Sequence, residues 1–284
     1  MTWSGTDIND IEQNFNARLT VPEYADHVAR CRAATDAVKS RLHPETDLRY
    51  GPHELESLDW YRSGRSNAPV HVFIHGGFWR ANDKKDFGLI AAPVTDAGAD
   101  AVVINYPLCP EVSLDQVVQS VNSAIKWIWN RAADFRADMT DFTLSGHSAG
   151  AHLAAMVLAH DWVSEGLPPK PIRSAVLISG IYELQPVLQI SVNREKIHLT
   201  PDRVPFLSPM RRPPSGVSLL LPVGGDEAPL WMRQSSDLAA AVRDNGGYAR
   251  YIEIPGRNHC NLMETFEDSA SPLTRMTLDH LFRS

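Results

Sequence analysis

The sequence predicts an α/β fold: a mostly parallel central sheet with helices on both faces and a small cap inserted over the strand ends. Three observations predict it. From residue 70 onward, short apolar runs that read as buried strands alternate with longer amphipathic stretches that read as helices. One strand runs into Gly146-His147-Ser148-Ala149-Gly150 and is followed at once by small residues, which spells a sharp strand-to-helix turn. A prolyl stretch, residues 181–215, interrupts the alternation and is longer than an ordinary connection.

Taken in order, residues 7–43 read as a helical arm lying on the main domain, with Pro22 near its start and Pro44 closing it. Residues 48–62 read as a hairpin, followed by a polar turn at 63–68. Val70–His75 is a strand running into Gly76-Gly77, and residues 84–98 are expected to be a helix. Ala101–Asn105 is a strand stopped by Tyr106-Pro107. Residues 113–132 form a long helix with Val117, Val118, Val121, Ala124, Ile125, Ile128 and Trp129 on its inner side. The strand 141–145 precedes the turn at Ser148, and a helix runs from there to about His160. Strands are expected at 172–179, 217–223 and 248–254, and helices at 230–245 and 272–283. Residues 1–284 thus form one domain, with the arm at about 7–43 and a partial cap at about 181–215.

Bulk properties narrow the function. The 284 residues, 43% of them hydrophobic, can bury a full core. A net charge of −7 with no cluster of Lys and Arg disfavours nucleic acid and anionic membranes as partners. The polar start, Met1–Asn16, lacks the pattern of a secretory signal, and no apolar run is long enough to span a bilayer. Three cysteines without metal-type spacing suit a reducing compartment, so the expected location is cytoplasmic. The expected partner is a small molecule, and a homodimer is left open.

The turn at Ser148 carries the chemistry. A serine hydroxyl is a weak nucleophile at neutral pH and needs a base, a group that orients the base, and donors for the oxyanion. His259 lies in a loop after the last strand, where the base of a Ser, acid, His chain order falls. His71, His147, His152 and His160 read as packing or surface residues, and His280 sits on the final helix. The acid should follow the preceding strand, where Gly224-Gly225-Asp226-Glu227 offers two carboxylates. Sequence physics alone does not choose between Asp226 and Glu227. Oxyanion donors are expected from the backbone N–H of Ala149 and from Gly76 or Gly77, where a Gly-Gly pair lets the chain approach closely. Phe78, Trp79, Tyr182, Phe206 and Trp231 are candidate walls of an apolar substrate pocket. This chemistry calls for no metal or organic cofactor.

These residues give the chain a family resemblance. His75-Gly76-Gly77-Phe78-Trp79, Tyr106-Pro107-Leu108-Cys109-Pro110-Glu111, Gly146-His147-Ser148-Ala149-Gly150, and Glu227-Ala228-Pro229 with Arg233-Gln234-Ser235 resemble the α/β-hydrolase serine esterases of the hormone-sensitive-lipase-like kind. Within them the chain is most similar to the kynurenine formamidase (arylformamidase) group, whose opening resembles Asn14–Arg18 with Val21-Pro22. The resemblance covers nearly the whole chain. It implies an α/β-hydrolase fold and cleavage of a small carboxylic ester or aryl formamide through an acyl-enzyme, with a dedicated N-formylkynurenine formamidase as the alternative. Aligned without a gap, that group's acid falls on Glu227, with Asp226 the alternative. The group usually has Tyr where this chain has Phe78, and more often Asp at the acid.

Overall fold

The computed structural model describes residues 8–282. The chain begins with helices α1 (Ile8–Phe15), α2 (Ala17–Thr20) and α3 (Tyr24–Leu42). The expected arm is therefore broken ahead of Pro22, which lacks the N–H a continuous helix would need. Residue 7 of the expected arm and residue 283 of the expected last helix lie outside the described residues.

A hairpin follows, β1 (Glu45–Arg49) and β2 (Ser57–Tyr61), then β3 (Ala68–Ile74), α4 (Ala91–Asp96), β4 (Asp100–Ile104), α5 (Leu114–Arg131), β5 (Ala137–His147) and α6 (Ala149–Leu158). The rest is β6 (Ser174–Ile178), α7 (Val204–Leu207), β7 (Ser218–Gly224), α8 (Pro229–Asp244), β8 (Tyr248–Ile254) and α9 (Pro272–Phe282). Among the described residues the strands form one eight-stranded sheet in the order β1-β2-β4-β3-β5-β6-β7-β8. The hairpin joins it antiparallel through β2 and β4, and from β4 to β8 every pairing is parallel.

Parallel strands must be joined by crossovers, and these cover both faces of the sheet. Successive side chains of a strand point to opposite faces. Val72, Leu219 and Leu221 accordingly join one core with α5, α6 and α8. Phe73 and Leu220 join the other with Cys31 of α3, α4 and α9. The start of α5 shows how local sequence sets an element. The Ser113 hydroxyl accepts from the Gln116 N–H, and the Gln116 side chain reaches back to the Ser113 N–H, a reciprocal cap.

The single helix expected over 84–98 is instead two short 3₁₀ turns, Lys84–Asp86 and Gly88–Ile90, followed by α4. Tertiary contacts break it. Asp83 caps the first turn, and the buried Lys84 ammonium is held between Asp47 at 2.6 Å and Asp59 at 2.5 Å.

Residues 181–215 contain a 3₁₀ turn (Gln185–Gln189), a π turn (Asn193–Ile197) and α7. Ile181, Leu184, Val187 and Ile190 are buried in the main core, so this stretch is a packed layer. No described helix is long and apolar enough to cross a membrane.

Candidate active site

In a parallel sheet, groups after the carboxyl ends of the strands converge at one edge. Here β3 ends at His75-Gly76-Gly77, β5 at Ser148, β7 at the loop carrying Glu227, and β8 at the loop carrying His259.

Ser148 sits at φ 57°, ψ −119° between β5 and α6. This sparsely populated conformation costs on the order of 1–3 kcal/mol and persists only where its surroundings enforce it. The enforcement is close packing. A Cβ on Gly150 would lie 2.0 Å from the Ile74 carbonyl oxygen, so only glycine lets α6 start this close to β3. The Ser148 N–H donates to the Ile178 carbonyl at 2.8 Å, tying the turn to β6.

His259 Nε2 lies 2.9 Å from Ser148 Oγ, and His259 Nδ1 lies 2.7 Å from Glu227 Oε2. Glu227 Oε1 accepts from the Ser179 hydroxyl at 2.5 Å and from the Gly224 N–H at 2.7 Å, so the carboxylate cannot swing away from the imidazole. Ser148, Glu227 and His259 are all buried, whereas Asp226 is exposed and its N–H donates to the Arg257 carbonyl. Of the two adjacent acids, Glu227 is the one against the histidine.

Gly76 backs directly onto the turn: a Cβ there would lie 3.1 Å from Ser148 Cβ. Gly77 has φ 125°, a conformation that glycine alone tolerates, and a Cβ would lie 2.0 Å from the Ala81 carbonyl oxygen. Ala149 is the first residue of α6, so its N–H belongs to the unpaired N-terminal set of that helix.

Two neighbouring histidines are held neutral. His147 Nε2 lies 2.8 Å from the His259 carbonyl oxygen and therefore donates to it. Burial, then repulsion from His259, puts its pKa well below the usual value. Burial pushes His152 down to about 4; its Nε2 faces the Leu207 carbonyl, and its Nδ1 accepts from Trp79 Nε1. Burial also pushes the Cys31 and Cys260 thiols up to about 12, so neither is a thiolate near neutral pH.

Above Ser148 opens a cleft bordered by the arm, the loop after β3 and the loop carrying His259. Its aromatic walls are Phe15, Tyr24, Phe78, Phe87 and Trp231, and its polar groups include Asn16, His27, Arg80 and Asn82. Trp231 lies over the His259 ring with centroids 4.1 Å apart, and Phe15 meets Trp231 edge-on at 5.4 Å.

Of the expected pocket residues, Phe78 and Trp231 line this cleft; Trp79, Tyr182 and Phe206 do not. Trp79 is fully buried because its indole N–H is drawn back to His152. Tyr182 is fully buried with its hydroxyl on the Leu177 carbonyl. Phe206 is 56% exposed on the outer surface, beneath the Arg203 guanidinium. The stretch 181–215 contributes Val192 to the lining, and most of the remaining roof comes from α1 and α3. Sequence reasoning did not name those arm residues as pocket walls, although Phe15 and Asn16 lie in the Asn14–Arg18 stretch that carries part of the family resemblance. It also missed Ser179, for which a signal existed: Ser179 directly follows a parallel strand, at the edge where functional groups gather.

The BD-FAE family matches residues 58–164 of the chain. The kynurenine formamidase of Danio rerio is 30% identical over 265 residues, covering 91% of this chain and 89% of the relative. Esterase LipQ of Mycobacterium tuberculosis is 28% identical over 261 residues, covering 82% of this chain and 60% of that protein. A solved structure of a candidate thioesterase from Silicibacter sp. TM1040 superposes with a TM-score of 0.81 at 28% identity, covering 96% of this chain and 99% of that one. Fold and relatives together define the chain as an α/β-hydrolase, a serine hydrolase of ester or formamide substrates. Within that class it belongs to the kynurenine formamidase family.

Proposed function

We propose that the chain hydrolyses a small aryl formamide, with aryl esters as secondary substrates, using Ser148 as nucleophile, His259 as base and Glu227 as the orienting acid. The observation that carries this reading is the hydrogen-bonded line Ser148–His259–Glu227 on the floor of a cleft walled by aromatic rings. The kynurenine formamidase relatives support an aromatic formamide, and N-formylkynurenine is the first substrate to try. Phe78 brings a ring without a hydroxyl to the cleft wall.

In the first step Ser148 Oγ bonds to the carbonyl carbon, and its proton passes to His259 Nε2. The carbonyl oxygen becomes an oxyanion, held by the N–H groups of Ala149 and of Gly76 or Gly77. Glu227 keeps the proton on Nδ1 and stabilises the imidazolium that forms. The tetrahedral intermediate collapses as the bond to the leaving amine or alcohol breaks, and His259 Nε2 returns the proton to that group. Water then attacks the acyl-serine, giving up its proton to the same nitrogen, and carboxylic acid and free serine result.

The test is Ser148→Ala assayed with N-formylkynurenine and with p-nitrophenyl acetate. Turnover of both should fall by about 10³-fold or more. A variant that keeps its rate on either substrate removes Ser148 as the nucleophile for that substrate. The ratio of kcat/KM between the two substrates in the unmodified enzyme then decides formamide against ester.

A further inference from the structure

His75 lies directly before the oxyanion glycines, and neither of its ring nitrogens faces a donor. Nδ1 is 2.7 Å from the Gly76 carbonyl oxygen, and Nε2 is 2.9 Å from Asn105 Oδ1. The Asn105 amide is not free to turn round: its Nδ2 donates to Asp83 Oδ2 at 2.9 Å, and its Oδ1 also receives the Lys84 N–H. The other buried histidines of the site region lack this arrangement. His152 has a donor on one side and an acceptor on the other. His71 faces two hydroxyls, which serve in either role. His147 faces a single carbonyl.

We propose that His75 is a buried imidazolium, paired through Asn105 with the Asp83 carboxylate, and that it holds the Gly76–Gly77 peptide with the Gly77 N–H turned toward the oxyanion. The ring environment suits a cation. The His75 ring is nearly parallel to those of Tyr106, at 4.3 Å, and Phe87, at 6.1 Å between centroids, and an aromatic face attracts positive charge. The charged groups around it are Asp83, Asp86 with its partner Arg32, and Lys84, which is neutralised by Asp47 and Asp59; Tyr106 stays protonated.

Burial by itself would raise the Asp83 pKa, but bonds from the Lys85 N–H and Asn105 bring it below the ordinary value, so Asp83 is ionised. An ionised Asp83 requires the Asn105 NH₂ toward it, and therefore Oδ1 toward His75. Burial, the largest influence, lowers the pKa of His75 and outweighs its bonds to Gly76 and Asn105 and the charges of Asp83 and Asp86, which raise it; the two acceptors facing the ring argue the other way. The contact geometry decides the outcome: a neutral ring would set a bare lone pair against an oxygen at 2.7 or 2.9 Å, inside a buried site where no water can intervene.

The catalytic consequence follows from peptide planarity. The Gly76–Gly77 bond is trans, so its C=O and N–H point opposite ways. His75 Nδ1 and, at 3.4 Å, Asn82 Nδ2 hold the carbonyl on one side. The N–H is thereby aimed to the other side, and a cation on the carbonyl polarises it further. His75 is thus a positioning residue. This role rests on the proposed reading of Gly77 as an oxyanion donor.

The test is nitrogen NMR of the full chain labelled with ¹⁵N-histidine, with the His75 signals assigned by their loss in His75→Gln. Both ring nitrogens should carry a proton at about pH 7 to 8, above the ordinary histidine pKa. A ring with one bare nitrogen in that range overturns the proposal. In Asp83→Asn one His75 proton should be lost at the same pH, with kcat down about tenfold and KM little changed, less than the loss of a whole oxyanion donor. An Asp83→Asn ring that keeps both protons overturns the pairing. If His75→Gln does not fold, Asn105→Asp gives the assignment, since a carboxylate against Nε2 keeps both protons and shifts that nitrogen alone. Ring protonation is read without turnover: a fully active Ser148→Ala chain would sink the proposed function, whereas a one-proton ring in an active enzyme would sink this inference alone.

Discussion

Ser148 and Phe15 face the same cleft, but they are held there by different means. Ser148 stands on a floor built from backbone. Gly150 lets α6 abut β3, Gly77 takes a conformation reserved for glycine, and Glu227 is locked by Ser179 and the Gly224 N–H. Phe15 belongs to a roof attached by side chains. Glu12 of α1 accepts from the Ser191 N–H and hydroxyl at 2.6 and 2.7 Å, Asn14 accepts from the Leu230 N–H, and His27 and Arg30 of α3 meet Glu264. The difference teaches a division of labour. On the proposed function, the reaction rests on positions fixed by the backbone, and the choice of substrate rests on side-chain contacts that can be exchanged singly. Tyr24 links the two, its hydroxyl 3.3 Å from the Asn82 side chain that reaches the Gly76 carbonyl.

The largest expected effect tests the floor. Glu227→Gln should lower kcat by about 10³–10⁴-fold, because the imidazole loses both its tautomer control and its countercharge. Asp226→Asn, one residue away but exposed, should change kcat by less than about twofold. Equal losses in the two variants would mean that the acid is shared. Gly77→Ala comes next. The added methyl meets the Ala81 carbonyl oxygen and the backbone must shift, so kcat should fall by about 10²-fold, as for a lost oxyanion donor. A Gly77→Ala enzyme with normal kcat would show the floor to be more tolerant than its packing implies.

The roof should respond differently. Phe15→Ala removes the ring that meets Trp231 and should raise KM for an aromatic substrate about tenfold, or about 1.4 kcal/mol, with kcat little changed. A kcat loss without a KM change would move Phe15 into the floor's class.

The smallest effect is a pH dependence of roof attachment. Burial would raise the pKa of Glu12, but its bonds to Ser191 outweigh that and lower it. Glu264 behaves alike through His27 and Arg30. A lowered carboxylate pKa gives stability that is present above the unfolded-state value and lost as pH falls through the folded one. Attachment should therefore weaken below about pH 4.3, by no more than about 1 kcal/mol per group at these partly exposed sites. Limited proteolysis of the arm across pH 3.5–5.5, a range bracketing the ordinary carboxylate pKa of about 4.3, checks it. Cleavage should rise on the acid side, while the rate at neutral pH stays low.

Much of the floor was legible along the chain because its constraints are local. The turn at Ser148 needs small residues at set spacings, and the parallel strand order sends each following loop to the same edge. The loops carrying Ser148, Glu227 and His259 could therefore be placed from order alone. The choice between Asp226 and Glu227 could not be made that way, since neighbouring residues of a loop differ only in which way the backbone turns them. The pocket walls were harder still. Trp79 and Tyr182 look like walls in the sequence, yet each turns its polar atom inward to a buried partner. Phe15 and Tyr24 lie more than a hundred residues from Ser148, and although Phe15 falls in the Asn14–Arg18 stretch that carries the resemblance, no spacing or periodicity turns either ring toward the serine.

By itself the sequence determined the sheet, the strained serine turn and the order of the reacting groups, because glycine spacing, apolar runs and chain direction act over short distances. Only the tertiary structure decided which rings line the cleft and that the arm roofs it; of the two carboxylates it set Glu227, the one the resemblance favoured, against His259. Those outcomes depend on where side chains from distant segments find hydrogen-bond partners and room to pack.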